Sequence, residues 1–211
     1  MFRYWERPVI YDRYEYMIQC CSKKQVLDIG CIGDHDVSDI NNWYHNSIKK
    51  ISIRLIGIDI NRSKINMMNK LGFNIANIDL SNKDINVEKI GKFDVIIMGE
   101  LIEHVSNLHQ FFINIKRLLT DEGEIIITTP NASSLDFFGS SLLRRKRVLS
   151  PEHVMIHSIE TMDSLLKRNN LKIYDWKYYS CSNRYRIFKE IVFKIFPQLA
   201  AGIIIHCKKN N

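Results

Sequence analysis

Seven short runs rich in β-branched residues recur along the chain, each followed by a polar or amphipathic stretch, and this rhythm restricts the fold more than any other feature. The runs are QVLDIG (Gln25–Gly30), RLIGIDI (Arg54–Ile60), FNIANIDL (Phe73–Leu80), FDVIIMG (Phe93–Gly99), GEIIITT (Gly123–Thr129), LKIYDWKYY (Leu171–Tyr179) and GIIIHCKK (Gly202–Lys209). Between them, Arg62 to Leu71, His109 to Leu119 and Ile159 to Asn169 carry apolar residues at helical spacing; in the second, Phe112, Ile115 and Leu119 share a face. Strand and helix in alternation predict an α/β fold with a parallel sheet. The unbroken VIIM and IIIT predict central strands covered on both faces.

A chain of 211 residues with 45% hydrophobic content can bury one full core. No repeat, low-complexity tract or Gly/Ser linker marks a second domain, so residues 1–211 read as one, with 1–24 as a helical lead-in. The alternation breaks at 130–151, which ends in the basic run Arg144, Arg145, Lys146 and Arg147, and again at 180–200, where Phe188, Ile191, Val192 and Ile195 form an apolar stripe beside Lys189 and Lys194. No stretch approaches the roughly 20 apolar residues of a membrane span. The start, MFRYWERPVIYDRYEYM, has charges and aromatics where a signal peptide needs an apolar core, so a cytoplasmic location is expected. The five cysteines, Cys20, Cys21, Cys31, Cys181 and Cys207, show no CxxC spacing and read as reduced thiols. An excess of 30 Lys+Arg over 23 Asp+Glu gives +7, a mild bias toward anionic partners that does not choose among them.

Ligands of an open parallel sheet bind beyond the carboxyl ends of its strands. The first of the seven runs ends in Asp28-Ile29-Gly30-Cys31-Ile32-Gly33-Asp34, where Gly30 and Gly33 allow a tight turn and close backbone approach. The second ends in Gly57-Ile58-Asp59, whose carboxylate could accept both hydroxyls of a ribose or cap the helix that follows. The third ends in Asn77-Ile78-Asp79-Leu80, with an acid able to receive an adenine amino group. Three successive strands ending in an acid form a pattern that a surface turn does not require.

The fourth run leads straight into Glu100, Glu103 and His104. If Glu100 opens a helix, the other two follow at i+3 and i+4 and all three share one face at the ligand edge. Imidazoles titrate near neutral pH, which makes His104 and His153 the candidate bases; His157 and His206 read as structural.

Together these residues resemble the class I S-adenosylmethionine-dependent methyltransferases, and within them the branch of ubiquinone-pathway O-methyltransferases and small-RNA 2′-O-methyltransferases. VLDIGC is similar to the family's first motif, GIDI to its ribose-binding acid, ANIDLSN to its adenine-contacting segment, and ELIEHVSN to the motif after its fourth strand. LLTDEGEIIITTPN, SPEHVMIHSIETMDSLLKRNNLKI and FPQLAAGIIIHCKK resemble its last three strands with their flanks. The resemblance implies a Rossmann-like, seven-stranded, mostly parallel sheet with helices on both faces and the last strand antiparallel. It implies S-adenosylmethionine as cofactor, held by Asp28, Gly30, Cys31, Gly33, Asp59, Ile60, Asp79, Leu80 and Glu100. It further implies a divalent cation (Mg, Mn or Zn) on Glu100, Glu103, His104 and His153, and it places 130–151 and 180–200 over the acceptor. One departure stands out: Ile32 occupies the second glycine's place and Asp34 the last one's. Asp28 and Asp59 also lie 31 positions apart, more than the roughly 20 of a compact unit, which predicts an extra helix over Trp43 to Lys50.

The function expected is O-methylation of a small-molecule, glycan or lipid-linked acceptor. An anionic acceptor would suit the basic run, and peripheral membrane contact would suit the apolar stripe. RNA 2′-O-methylation is the second enzyme reading, disfavoured because no RNA-binding domain or stacking platform is evident. A non-catalytic cofactor-binding partner subunit is the third.

Overall fold

The computed structural model describes residues 6–33, 39–142, 150–180 and 186–210. Asp34, Cys181 and the run Arg144 to Arg147 lie outside them. One sheet is formed by β1 (Val9–Ile10), β2 (Gln25–Ile29), β3 (Arg54–Asp59), β4 (Ile75–Asn77), β5 (Phe93–Gly99), β6 (Leu119–Pro130), β7 (Leu171–Tyr179) and β8 (Gly202–Lys209). Its order is β1-β7-β8-β6-β5-β2-β3-β4. All pairings are parallel except those of β8, which runs antiparallel to both β6 and β7. The α/β class and the reversed last strand are as the sequence implies. The strand count is eight rather than seven, because Val9 and Ile10 pair with Tyr178 and Tyr179 at the edge. Two residues are too few to show a strand period.

The apolar runs earn their central places by burial on both faces. Val95 and Ile97 of β5 pack with Met17 of α1 (Arg13–Cys20) and Ile48 of α2 (Tyr44–Lys49). Ile96 and Met98 face the larger core, with Phe112 and Ile115 of α4 (Leu108–Leu118) and Met162 and Leu166 of α6 (Ile159–Arg168). Each fully buried side chain of this kind contributes about 1.5–3 kcal/mol over its exposed state. The predicted helix over Trp43 to Lys50 is shorter, six residues preceded by a one-turn 3-10 helix at Ile40–Asn42.

Side-chain caps set where the helices begin. Asn61 receives the N–H of Lys64 and starts α3 (Arg62–Lys70), while Ser158 and Thr161 cap each other's ends at α6. α5 (Leu135–Leu142) follows β6, and α7 (Arg186–Ile195) precedes β8. On α7, Phe193 is buried and Val192 half-buried, while Ile191 and Ile195 are exposed, so the expected stripe divides between core and surface; the Phe188 side chain lies outside the description. Among the described residues no helix is long and apolar enough to cross a membrane. After β4 the chain returns to lay β5 on the other side of β2, which puts the topological switch between the carboxyl ends of β2 and β5.

Candidate active site

Beyond β2 the chain turns through Gly30 (φ 72°) and Gly33 (φ 47°), left-handed values that glycine adopts without a Cβ penalty. Asp59, at the end of β3, reaches into this turn. Its Oδ2 accepts from the backbone N–H of Ile32 (3.0 Å) and Gly33 (3.3 Å), and its Oδ1 from that of Asn61 (2.9 Å). Three of the carboxylate's roughly four acceptor positions are therefore filled by backbone. The Ile32 side chain, at the position where the resemblance would put a glycine, is buried with Cys31, Trp43, Ile65 and Phe73. Asp28 lies behind the turn, buried and 2.7 Å from His45 Nδ1. Cys31 and Leu80 are buried, whereas Gly33, Ile60 and Asp79 are exposed, with Asp79 Oδ1 accepting from the Ser81 N–H and hydroxyl.

The end of β5 differs from expectation. Glu100 does not open a helix: its φ is 50°, Ile102–His104 form a single 3-10 turn, and α4 begins only at Leu108 under the Asn107 cap. The cause is the pull on Glu100 from three neighbouring elements. Its N–H donates to the Thr128 carbonyl at 3.0 Å, and its Oε1 accepts from Thr128 Oγ1 (3.1 Å) and from the Tyr179 hydroxyl (2.6 Å). The same oxygen is 2.8 Å from Arg13 Nη1. Glu100 thus joins β6, β7 and α1 and is not one of the grouped potential metal ligands.

Glu103, His104 and His153 do come together, with donor atoms all within 4.8 Å of one another. Glu103 is 1% exposed; its Oε2 accepts from Thr129 Oγ1 at 3.1 Å, and its Oε1 is buried with no partner among the described residues. Burial, then the nearby Glu100 charge, raise its carboxyl to about 7. The Glu103 carbonyl accepts from the N–H of Val154 (2.9 Å), which ties the loop bearing His153 to the 3-10 turn. His104 Nδ1 lies 3.2 Å from the Glu152 carbonyl, which can only accept, so Nδ1 carries the hydrogen and Nε2 the lone pair of the neutral ring. The two imidazoles meet edge to face at 4.7 Å. His153 Nδ1 is buried without a partner among the described residues; burial, then His104, hold its pKa below the usual histidine value. A carboxylate oxygen and a ring nitrogen buried without partners, next to a second imidazole, form a donor set that suits a cation.

Asn131, Ser158, Tyr178 and Gln198 line a cleft of about 210 Å³ that none of Glu103, Thr129, His104 and His153 lines. The sequence does not single out Arg13, Tyr179 and His45. Each acts through a contact far along the chain, and none stands in a periodic pattern.

Comparison with known proteins bears on the family and the fold. The family described as "Methyltransferase domain" matches residues 2–175. A search of curated protein sequences found no match. An S-adenosylmethionine-dependent methyltransferase from Archaeoglobus fulgidus superposes with TM-score 0.61 at 20% identity, over 92% of this chain and 90% of that one. Another from Clostridium acetobutylicum gives 0.60 at 17% identity, over 94% and 91%. The O-methyltransferase of a Brevibacillus brevis trans-AT polyketide multienzyme, solved with S-adenosyl-L-homocysteine, gives 0.55 at 17% identity, over 93% and 71%. At these identities the likeness is one of fold.

Proposed function

The chain belongs to the methyltransferase domain family, and from that premise we propose that it moves the methyl group of S-adenosylmethionine to a hydroxyl of a small-molecule, glycan or lipid-linked acceptor. The observation that carries this reading is the meeting of Glu103, His104 and His153 beside the switch between β2 and β5. Methyl transfer from a sulfonium forms one O–C bond and breaks one C–S bond; the acceptor's proton needs a base, and neutral S-adenosylhomocysteine leaves. His104 fits the task because Glu152 fixes its Nδ1–H and leaves Nε2 basic. Glu103, held by Thr129 with a carboxylate oxygen within 4.8 Å of both histidines, stabilises the imidazolium when it is ionised. Gly30, Gly33, Ile60 and Asp79 are placed to receive the cofactor along the exposed edge, with Asp59 supporting the turn beneath it.

The residues present also fit a divalent cation, held by Glu103, His104 and His153, with Glu100 withdrawn from the set by Arg13. Two imidazoles and one carboxylate suit zinc or manganese better than magnesium, which prefers oxygen ligands. Such an ion would supply Lewis-acid polarisation of the acceptor oxygen. A lipid-linked acceptor is supported by Ile191, Ile195 and Phe196, exposed beside Lys194 on and just past α7. Calorimetry with S-adenosylmethionine tests the cofactor, and labelled-methyl incorporation into RNA, membrane lipid and small-molecule extracts tests the acceptor. Incorporation into RNA alone would overturn the acceptor assignment. Absence of cofactor binding would overturn the whole reading.

A further inference from the structure

The turn after β2 is held from behind as well as from the front. Trp43 Nε1–H donates to the Cys31 carbonyl at 2.9 Å, while the N–H of the same peptide unit, that of Ile32, donates to Asp59 at 3.0 Å. One planar peptide is therefore pinned at both ends, and it cannot rotate without losing two hydrogen bonds. His45 supports the strand leading into it. Its Nδ1 is 2.7 Å from Asp28 Oδ2, with the two side chains only 1% and 5% exposed. The Trp43 ring packs against His45 (4.8 Å) and Phe73 (4.8 Å).

β3 is shaped around this group. A Cβ on Gly57 would lie 2.6 Å from Cys31 Sγ and 3.1 Å from His45 Cε1, so a strand residue with any side chain would displace one of them. The glycine missing from the turn and the glycine present in β3 thus have one explanation: the turn's shape comes from side chains packed beneath it.

We propose that Trp43 and His45 are positioning residues for the cofactor, which hold the 30–33 turn in its ligand-receiving shape through the Cys31 carbonyl and Asp28. The inference rests on the reading of the chain as an S-adenosylmethionine binder. Both side chains are buried and act through the backbone they fix.

Calorimetry with S-adenosylhomocysteine, on wild type, Trp43→Phe, His45→Leu and His45→Asn, tests it, with the melting temperature of each recorded in the same buffer. Trp43→Phe removes one N–H and keeps an aromatic ring against Phe73; its affinity should fall about tenfold. His45→Leu should fall at least as far, and His45→Asn, whose amide N–H can replace Nδ1–H toward Asp28, should return to within about threefold of wild type. Folded Trp43→Phe and His45→Leu that bind as wild type does, whatever their melting temperatures, would reduce both residues to packing and overturn the proposal. If His45→Leu fails to fold, Trp43→Phe decides alone. A wild type that binds no S-adenosylhomocysteine overturns the cofactor reading beneath the proposal, a result distinct from equal binding by wild type and variants.

Discussion

Asp59→Ala should weaken the fold itself, as well as any grip on a cofactor. The carboxylate accepts three backbone N–H groups, and hydrogen bonds to a charged acceptor are worth about 1.5–3 kcal/mol each. They do not contribute equally. Gly33 and Asn61 are exposed, so water can replace the lost acceptor, whereas Ile32 is buried and its N–H would be left without a partner. Counting Ile32 in full and the other two as small fractions gives a loss of about 2–4 kcal/mol. For a chain of this length that corresponds to a melting temperature lower by about 4–16 °C. Asp59→Asn keeps one acceptor oxygen and should fall between. Differential scanning fluorimetry without ligand reads the stability, and calorimetry with S-adenosylmethionine reads the affinity. A side chain that served only to hold a ribose would lower affinity alone. A ligand-free melting temperature for Asp59→Ala within about 2 °C of wild type would refute the anchoring role.

Glu103 gives a pH signature: its carboxyl titrates near 7 in the fold rather than near 4.5, so the stabilisation of its neutral form is complete below pH 4.5 and is lost as pH rises through 7. The loss is on the order of 3 kcal/mol, and urea denaturation at pH 5 and pH 8 should show it in wild type but not in Glu103→Gln; equal pH dependence in the two would refute the assignment. Added zinc should raise the melting temperature of wild type and leave His153→Ala unmoved, because His153 Nδ1 and Glu103 Oε1 are the donors without partners among the described residues. Equal shifts in both proteins would move the cation elsewhere. Gly57→Ala, whose Cβ would press on Cys31 Sγ, should cost about 1–3 kcal/mol, and an unchanged urea midpoint would contradict the close packing at that point.

Much of the fold is legible in the sequence because it is periodic. β5 and β6 read as buried strands from VIIM and IIIT, and α3, α4 and α6 from their helical spacing. Contacts that leave no period are not legible. β1 is two residues held by the neighbouring β7, and the late start of α4 depends on Arg13 drawing Glu100 away from a helical path. The E-x-x-E-H spacing and the later His153 supply four residues of the right chemistry, but the geometry implied by an α-helix is not the one adopted. A 3-10 turn and a loop stitched to the Glu103 carbonyl bring three of the four together instead. Asp59 likewise reads correctly as an acid at a strand end, while its backbone partners in the turn depend on three-dimensional proximity to residues 32 and 33.

Glu100 fixes the path of the chain beyond β5. A non-glycine residue at φ 50° carries a conformational cost of roughly 1–2 kcal/mol, and it persists here because Thr128, Tyr179 and Arg13 fix both its backbone and its carboxylate. That conformation turns the chain away from the helix it would otherwise begin, so Glu103 is carried inward under Thr129 and His104 meets His153. The 30–33 turn after β2 meets the same segment, since the Leu101 side chain lies against Gly30. Because Arg13 belongs to α1, which packs on β2 and β5 through Met17, the N-terminal helix is coupled to the sheet by apolar contact and to the Glu100 carboxylate by charge.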